Sequence, residues 1–483
     1  MDQETRDYCT QLVRELVDGI DAGDFAKEII PDQYRWEHML GLYYLKDELD
    51  GGEELFQNIY ETAIASGEEY LRQKAKRGER IQIAFQTYSA AQWPAEGVYH
   101  SFEKMENVDV KVIVSPLVDR DAESMIDTYR QTSGWFHEHS YRVMDGLDVD
   151  HSAIGDWNYL GGYPDVLYQV SSWFNCLPRV QWFTMLPLRC LVAYIPYGIS
   201  QADSKDCQYA IAHVYNHDIT NLLWRLYCDS QTVYNGYQKH QFLKAINVRR
   251  SGYAKMDYFY KDHQFDDVIL RKLWSISADK DVKQMKKIIV APHYTVFQES
   301  DICYSTFQKN MWFWLYLIKK YENQITFLFK PHPNLRRSAV AVGLFKDYEE
   351  YDRYIQAWND CPNATVVQEG NYLEHFVTSD AMIMDSGSFL GEYLYTQKPL
   401  LYLTRPEQTF SDAGWNLMRA HYKAPGEDYI AIERFIEDVV LGGNDTMAEQ
   451  RKKVFEEEYD YLKLNGQLAS DFIVNEVLAL IGQ

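Results

Sequence analysis

The chain lacks any stretch of about 18–20 clean apolar residues of the kind a membrane-spanning helix needs. The nearest candidate, Trp182–Ile199, is interrupted by Pro187, Arg189 and Pro196, and Met311–Ile318 is short and runs into Lys319 and Lys320. Both read as buried core. Cysteine is sparse: seven residues, an odd number, with no Cys-x-x-Cys pair. That sets aside a disulfide framework and a zinc site and fits a reduced, intracellular setting. Basic residues are in deficit, 48 Lys and Arg against 71 Asp and Glu, for a formal charge of −23. A protein that binds nucleic acid broadly displaces counterions with a basic face, so that class is set aside, although an acidic total still allows a local basic pocket. The opening residues MDQETRDYCTQLVREL are charged and polar, so a signal peptide is not expected. HExxH, EF-hand, Walker A and nucleophile-elbow patterns are missing. Neither a short-period repeat nor a low-complexity segment occurs.

What is present describes a globular protein, with 46% hydrophobic and 25% charged residues. At 483 residues the chain exceeds one ordinary core, which predicts two domains with extensions. Residues 1–78 read as a helical N-terminal extension, in which Leu55, Ile59 and Ala63 share a helix face. At Ile81 the pattern changes to short β-branched or aromatic runs closed by Pro, Gly or Asp. Strands are predicted at IQIAFQ, VDVKVIVSPL, 165–170, 190–198, 208–215, 232–236 and 246–257, with EGVYHSFEKMEN as a helix between the first two. A second series begins at KKIIVAPHYTV (286–296) and continues through ITFLF, ATVVQ, AMIM and PLLYL, again with helices between. Such alternation implies parallel sheets with helices on their faces. The expected division is 79–262 and 263–430 as two Rossmann-like domains, with 431–483 as C-terminal helices packing back on them.

Open parallel sheets bind ligands outside the carboxyl ends of their strands, and the unusual polar residues of this chain fall there. Asp385-Ser386-Gly387-Ser388 follows AMIM and opens a helix. Serine is a favoured N-cap, glycine permits a tight turn, and exposed N–H groups at a helix start attract anions. Glu392, one turn in, would repel a nearby phosphate but can accept two ribose hydroxyls. A nucleotide diphosphate satisfies both halves; a merely capped helix with a solvated glutamate is the plainer alternative. Lys330-Pro331-His332-Pro333-Asn334 ends a second strand, and the flanking prolines hold His332 out of helix. An imidazole there binds a phosphate as a cation or transfers a proton; a histidine in a rigid surface turn is the alternative. His293, after Pro292, ends a third strand. Three such strand ends in one sheet weigh more than any one of them.

The segments IIVAPHYTV, ITFLFKPHPNLR and MIMDSGSFLGEYLYTQKPLLYL, in that order, resemble the C-terminal half of the CDP-glycerol glycerophosphotransferase family, enzymes of teichoic-acid-type and capsule polymers with the GT-B superfold. The DSGSFLGE block also resembles the nucleotide-binding block of UDP-N-acetylglucosamine 2-epimerases. INVRRSGYAKMD resembles the family's interdomain crossing, with Gly252 and Asp257 in the places of its Gly-x-x-x-x-Asp. The resemblance spans about 80–425. It implies an α/β GT-B fold, two Rossmann-like domains facing a cleft, with a CDP-activated donor on the second and a glycan or lipid-linked polymer acceptor on the first. By position it assigns His332 to transfer or to the donor phosphates, Ser386, Gly387 and Ser388 to the diphosphate, and Glu392 to the ribose. Lys330 and Asp385 join the donor contacts, and His293 the catalytic candidates. No cofactor or metal is required: serines, helix dipole and histidine can neutralise the leaving group. One departure matters. Where the family carries a His-Gly pair taken as the acceptor base, this chain has Tyr197-Gly198, and a phenol with pKa near ~10 is a poor base at neutral pH. His213 and His217 are nearby candidates, although a strand histidine is more often core.

The resemblance implies a cytoplasmic enzyme. The basic run RQKAKRGER (72–80) offers peripheral contact with the inner face of the cell membrane, with a solvated helix end as the commoner alternative. Aromatic residues reach 15%, with 38 Tyr and 12 Trp; sugar sites often use aromatic faces, but most of these rings are expected in the core.

Overall fold

The computed structural model of the chain describes residues 1–26, 29–204, 206–297, 302–367, 372–387 and 389–482. Apolar runs such as Ile325–Phe329 and Ala381–Met384 are buried along their whole length, as strands covered on both faces must be. The first sheet contains β1 (Ile81–Thr87), β2 (Val108–Val114) and β3 (Val143–Asp145). After a small hairpin, β4 (Leu147–Asp148) with β5 (Ala153–Ile154), it continues with β6 (Val166–Gln169), β7 (Leu191–Tyr194), β8 (Arg225–Tyr227) and β9 (Val248–Arg249). The order is β3-β2-β1-β6-β7-β8-β9, and every pair is parallel. The second sheet contains β10 (Lys286–Ala291), β11 (Ile325–Phe329), β12 (Ala364–Val366), β13 (Ala381–Met384), β14 (Leu400–Thr404) and β15 (Tyr422–Pro425), in the order β12-β11-β10-β13-β14-β15, again all parallel. In each sheet the chain starts in the middle, runs to one edge, then returns to the far side of its start. That reversal leaves a crevice between β1 and β6, and another between β10 and β13, where such sheets take their ligands.

Helices α1 (Gln3–Asp21), α2 (Trp36–Leu45) and α3 (Gly52–Lys76) precede the first sheet. Phe56, Ile59, Tyr60 and Ala63 recur at helical spacing on α3 and join Trp36, Met39 and Leu42 of α2 in one core with Leu167, Val192 and Leu226 of the sheet. The polar groups at this seam are paired: the Trp36 indole donates to Cys190 O (2.9 Å) and the Tyr60 hydroxyl to Leu223 O (2.6 Å). The basic run ending α3 is largely neutralised within the chain. Arg72 meets Glu68 and Glu69, Lys74 meets Asp165 at 2.8 Å, and Arg77 meets Glu79.

The last helix, Ala469–Ile481, returns to the first half and packs on α3, on α4 (Glu96–Glu103) and beside β8 and β9, where Glu476 pairs with Arg225 (2.9 Å) and Arg249 (3.3 Å). No helix among the described residues is long and apolar enough to cross a membrane. Three predicted strands are corrected. Residues 208–215 hold a π-helical turn (Ile211–Tyr215), and 232–236 lie within the helix Gln231–His240, started by the Ser230 side chain accepting from the Val233 N–H. The predicted strand 246–257 shortens to β9 before a 3-10 helix (Ala254–Tyr260). The strand that does fill the sheet, β8, is only three residues long, too short for a pattern.

Candidate functional site

The loop leaving β10 begins Pro292-His293. The His293 N–H donates to Asp385 Oδ1 at 2.6 Å, spanning the β10–β13 crevice. The second oxygen of Asp385 accepts from the N–H (2.5 Å) and the hydroxyl (2.8 Å) of Thr306. Asp385 is buried, and burial raises its pKa to about 6 against the pull of those donors. Its carboxylate binds three segments of its own domain together, so the geometry gives it a positioning place.

The loop leaving β11 is laced to that of β10 by backbone bonds, Lys330 N–H to Val290 O (2.8 Å) and His332 N–H to Pro292 O (3.1 Å). The rings of His293 and His332 stand 5.2 Å apart, and Tyr294 packs 4.5 Å from each. Each imidazole accepts at Nδ1: His332 from the Asn334 N–H (3.1 Å), His293 from the Thr295 N–H (3.3 Å), with the Thr295 hydroxyl at 2.8 Å. A neutral imidazole that accepts at Nδ1 carries its proton on Nε2. Both rings are neutral at pH 7. Burial, then the Lys330 ammonium, lowers His332 to about 4, and burial, then His332, pushes His293 well below the ordinary value. The crevice therefore holds two neutral N–H donors side by side, where the sequence left a phosphate-binding cation or a proton-transfer group open.

Ser386 is buried beside Asp385. At Gly387 the second domain touches the first: a Cβ here would lie 2.7 Å from Gln201 Nε2, so a glycine is what this approach requires. Gln201 is itself buried, and its Oε1 has no hydrogen-bond partner among the described residues. Its loop is fastened across the cleft by the Ser411 N–H to Gln201 O (3.0 Å) and the Thr409 hydroxyl to Asp203 O (2.6 Å). Ser388 lies outside the described residues.

Glu392, in the turn Phe389–Glu392, is buried and accepts from the Tyr372 hydroxyl at 2.5 Å. Tyr372 in turn accepts from Lys255 Nζ at 2.7 Å, and that ammonium stands 4.4 Å over its ring. Burial raises the pKa of Glu392 and lowers that of Lys255, each opposed by the charge of the other. The triad joins the segment that follows β9 to the second domain. Glu392, expected from the sequence to meet a ribose, thus has its carboxylate buried and bonded within the protein. Tyr197, on the loop after β7, accepts at its carbonyl from the Tyr253 hydroxyl (2.6 Å). Tyr197 is partly exposed and lies near enough to Tyr88 in its own domain and Tyr294 in the other to add to the burial that raises both.

His293, His332, Asp385, Ser386, Gly387 and Tyr197 thus meet at one crevice, Lys330 stands behind His332, and Glu392 sits one turn deeper. Gly252 and Asp257 lie apart, at the crossing. Gly252 has φ +86°, and a Cβ there would strike the Tyr461 ring. Asp257 accepts from the Tyr461 hydroxyl (2.7 Å) and the N–H groups of Ala469 (2.9 Å) and Ser470 (2.8 Å), anchoring the returning helix. Sequence reasoning missed Tyr294, Gln201, Lys255, Tyr372 and Arg405. Arg405, whose Nη1 donates to Ser305 O (3.0 Å) and whose charge lowers Asp385, stands one residue past β14 and carried the same strand-end signal as the histidines. Lys255 and Tyr372 carried none. Among the described residues no group of three or more His, Cys, Asp or Glu is placed to hold a metal ion.

Two parallel Rossmann-like sheets joined across a cleft define the GT-B fold, and solved structures agree. A histidine-to-alanine variant of the wall teichoic acid polymerase TagF superposes with a TM-score of 0.52 at 11% identity, covering 89% of this chain and 96% of that one. A CDPG-soaked crystal of the same polymerase gives 0.51 at 11%, covering 90% and 99%. A UDP-N-acetylglucosamine 2-epimerase gives 0.50 at 12%, covering 84% and 97%. No family model matches the sequence, and no curated protein does. At these identities the likeness establishes the fold, which this chain shares with enzymes that handle nucleotide-activated substrates.

Proposed function

We propose that the chain is a GT-B transferase of surface-polymer assembly, which moves glycerol phosphate, or a related polyol phosphate, from a CDP-activated donor to an acceptor hydroxyl. The observation that carries this reading is the convergence at the β10–β13 crevice of two neutral imidazole N–H donors with the buried Ser386-Gly387 turn. Neutral donors stabilise the charge that develops on a departing phosphate without first having to be discharged. The acceptor hydroxyl oxygen attacks the phosphorus of the glycerol phosphate, the bond to the nucleotide oxygen breaks to release CMP between His293, His332 and Ser386, and the hydroxyl proton leaves to solvent or to the CMP phosphate. Lys330 supplies standing positive potential behind His332. Tyr197, in the place of the family's histidine, orients the acceptor from the opposite domain. The acceptor is a glycan or a lipid-linked polymer, and no cofactor beyond the activated donor enters the reaction.

A second reading keeps the same site and changes the donor. The epimerase likeness, together with a tyrosine at 197, favours a nucleotide-sugar enzyme, and binding without turnover would mark a member that has lost its chemistry. Incubation with CDP-glycerol, CDP-ribitol and UDP- or GDP-sugars separates them. Release of CMP supports the proposal. Release of UDP or GDP replaces it with the second reading, and binding with no release removes the enzyme.

A further inference from the structure

The crevice of the first sheet, between β1 and β6, carries a second constellation. Ser171, past the end of β6, donates its hydroxyl to the Tyr88 hydroxyl, past the end of β1, at 3.0 Å. Two residues on, the partly exposed indole of Trp173 meets the exposed imidazole of His213 at 5.6 Å and the ring of His217 at 6.3 Å, edge to face. Tyr209 completes the shelf, 4.7 Å from His213. His213 rides on the π-helical turn Ile211–Tyr215, a rare element found often at functional sites. The shelf also reaches the donor side. Tyr209 is near enough to Tyr304 of the second domain to raise it, after burial and other neighbours, and Tyr304 stands 5.4 Å from His293.

His217 is held by hydrogen bonding on one side of its ring. Its Nδ1 lies 2.6 Å from Asp218 Oδ1, against 3.4 Å from the Ile219 N–H, so Nδ1–H donates to the carboxylate, and the neutral ring then has its lone pair at Nε2. The other oxygen of Asp218 accepts from the Tyr44 hydroxyl of α2 at 2.5 Å. Burial works against the charge of Asp218, yet the bond and charge of His217, with the Tyr44 hydroxyl and the Ile219 N–H, outweigh it and keep the carboxyl below its ordinary range. A relay from the N-terminal helices thus fixes the tautomer and the plane of one ring in the shelf, in the way orienting carboxylates do elsewhere.

We propose that Trp173, Tyr209, His213 and His217 form the acceptor subsite and that it takes an uncharged sugar ring, stacked on the Trp173 and His213 faces, with one hydroxyl donated to His217 Nε2. The assignment rests on the transferase reading above and adds the class of acceptor. Flat aromatic faces with fixed polar edges suit a ring that has an apolar face and hydroxyls at its rim. A phosphodiester chain fits less well: the segment 203–218 holds three aspartates against one lysine.

The test uses the full chain labelled with 15N-histidine, with the His213 and His217 signals assigned from His213→Gln and His217→Gln. Methyl glycosides of glucose, galactose and N-acetylglucosamine are the neutral probes, and glycerophosphoglycerol the anionic one. At least one neutral glycoside is expected to move both signals at millimolar concentration. Trp173→Ala, and separately His213→Ala at its exposed position, should weaken that binding tenfold or more while CDP binding, followed by calorimetry, stays unchanged. The subsite is overturned if no glycoside moves these signals, if the variants bind as well as the parent, or if glycerophosphoglycerol alone binds. Loss of CDP binding by the parent, with the shelf still taking sugar, removes the donor reading and leaves the shelf standing.

Discussion

His332 meets its loop through Nδ1 and keeps Nε2 for the diphosphate proposed above, and that division sets the residue's behaviour with pH. The free ring is neutral down to about 4 because burial and Lys330 oppose its charge. A bound diphosphate would oppose this by supplying negative charge at Nε2–H, so the pKa rises on binding and Nδ1 takes up a proton in place of the bond from the Asn334 N–H. Affinity must then grow as pH falls through the window above the free value. If the bound pKa reaches about 6, affinity for CDP-glycerol, whose diphosphate diester stays ionised throughout, rises about tenfold between pH 7 and pH 5. Calorimetry at the two values checks this, and the rise should vanish in His332→Ala. Asp385 makes a contrasting prediction, because all its bonds are internal. Asp385→Ala leaves the N–H groups of His293 and Thr306 without their acceptor and should cost about 2–4 kcal/mol in urea unfolding. The strand-end histidines were legible in the sequence because parallel topology places such loops at the ligand. The inward turn of Asp385 was not, since it depends on Thr306, far off in sequence and carried on no motif.

At the scale of elements, the crossing between the domains is held by pairs that only the fold creates. Half-buried Lys255 and Tyr372 and buried Glu392 form a triad between the segment after β9 and the turn Phe389–Glu392. Removing one charge strands the other. Lys255→Met should therefore destabilise by about 3–5 kcal/mol, whereas Lys255→Met with Glu392→Leu should return to within about 1–2 kcal/mol of the parent. A double-mutant cycle in denaturant measures both. The last helix is pinned in the same manner: Asp257→Ala removes the acceptor of the Ala469 and Ser470 N–H groups. It should cost about 2–4 kcal/mol and expose Ala469–Ile481 to limited proteolysis. The Gly252 and Asp257 pattern was visible in the sequence, but not its use as an anchor, because Tyr461 and the returning helix lie some two hundred residues later. The helix Gln231–His240 shows the reverse failure: Thr, Val and Tyr read as strand, and one serine cap with tertiary packing overrode them.

At the scale of the molecule, the alternation of strand and helix made both sheets legible, since each βαβ step leaves an apolar run and a breaker. The place of the N-terminal helices was not, because α2 and α3 bury their apolar faces on a sheet whose strands come much later. They are part of the first domain's core: Trp36 is fully buried, and Trp36→Ala should cost about 3–5 kcal/mol, read from the urea midpoint. The same helices hold Tyr44 against Asp218, so they bear on the proposed acceptor subsite as well. The central claim, that the second sheet's crevice grips the diphosphate of an activated donor between two imidazole donors and a glycine turn, has one direct test. CDP-glycerol binding is measured by calorimetry on the parent chain and on His332→Ala and Ser386→Ala, each checked for native unfolding. A fall of tenfold or more in both variants is the predicted result; affinity equal to the parent's in both would contradict it.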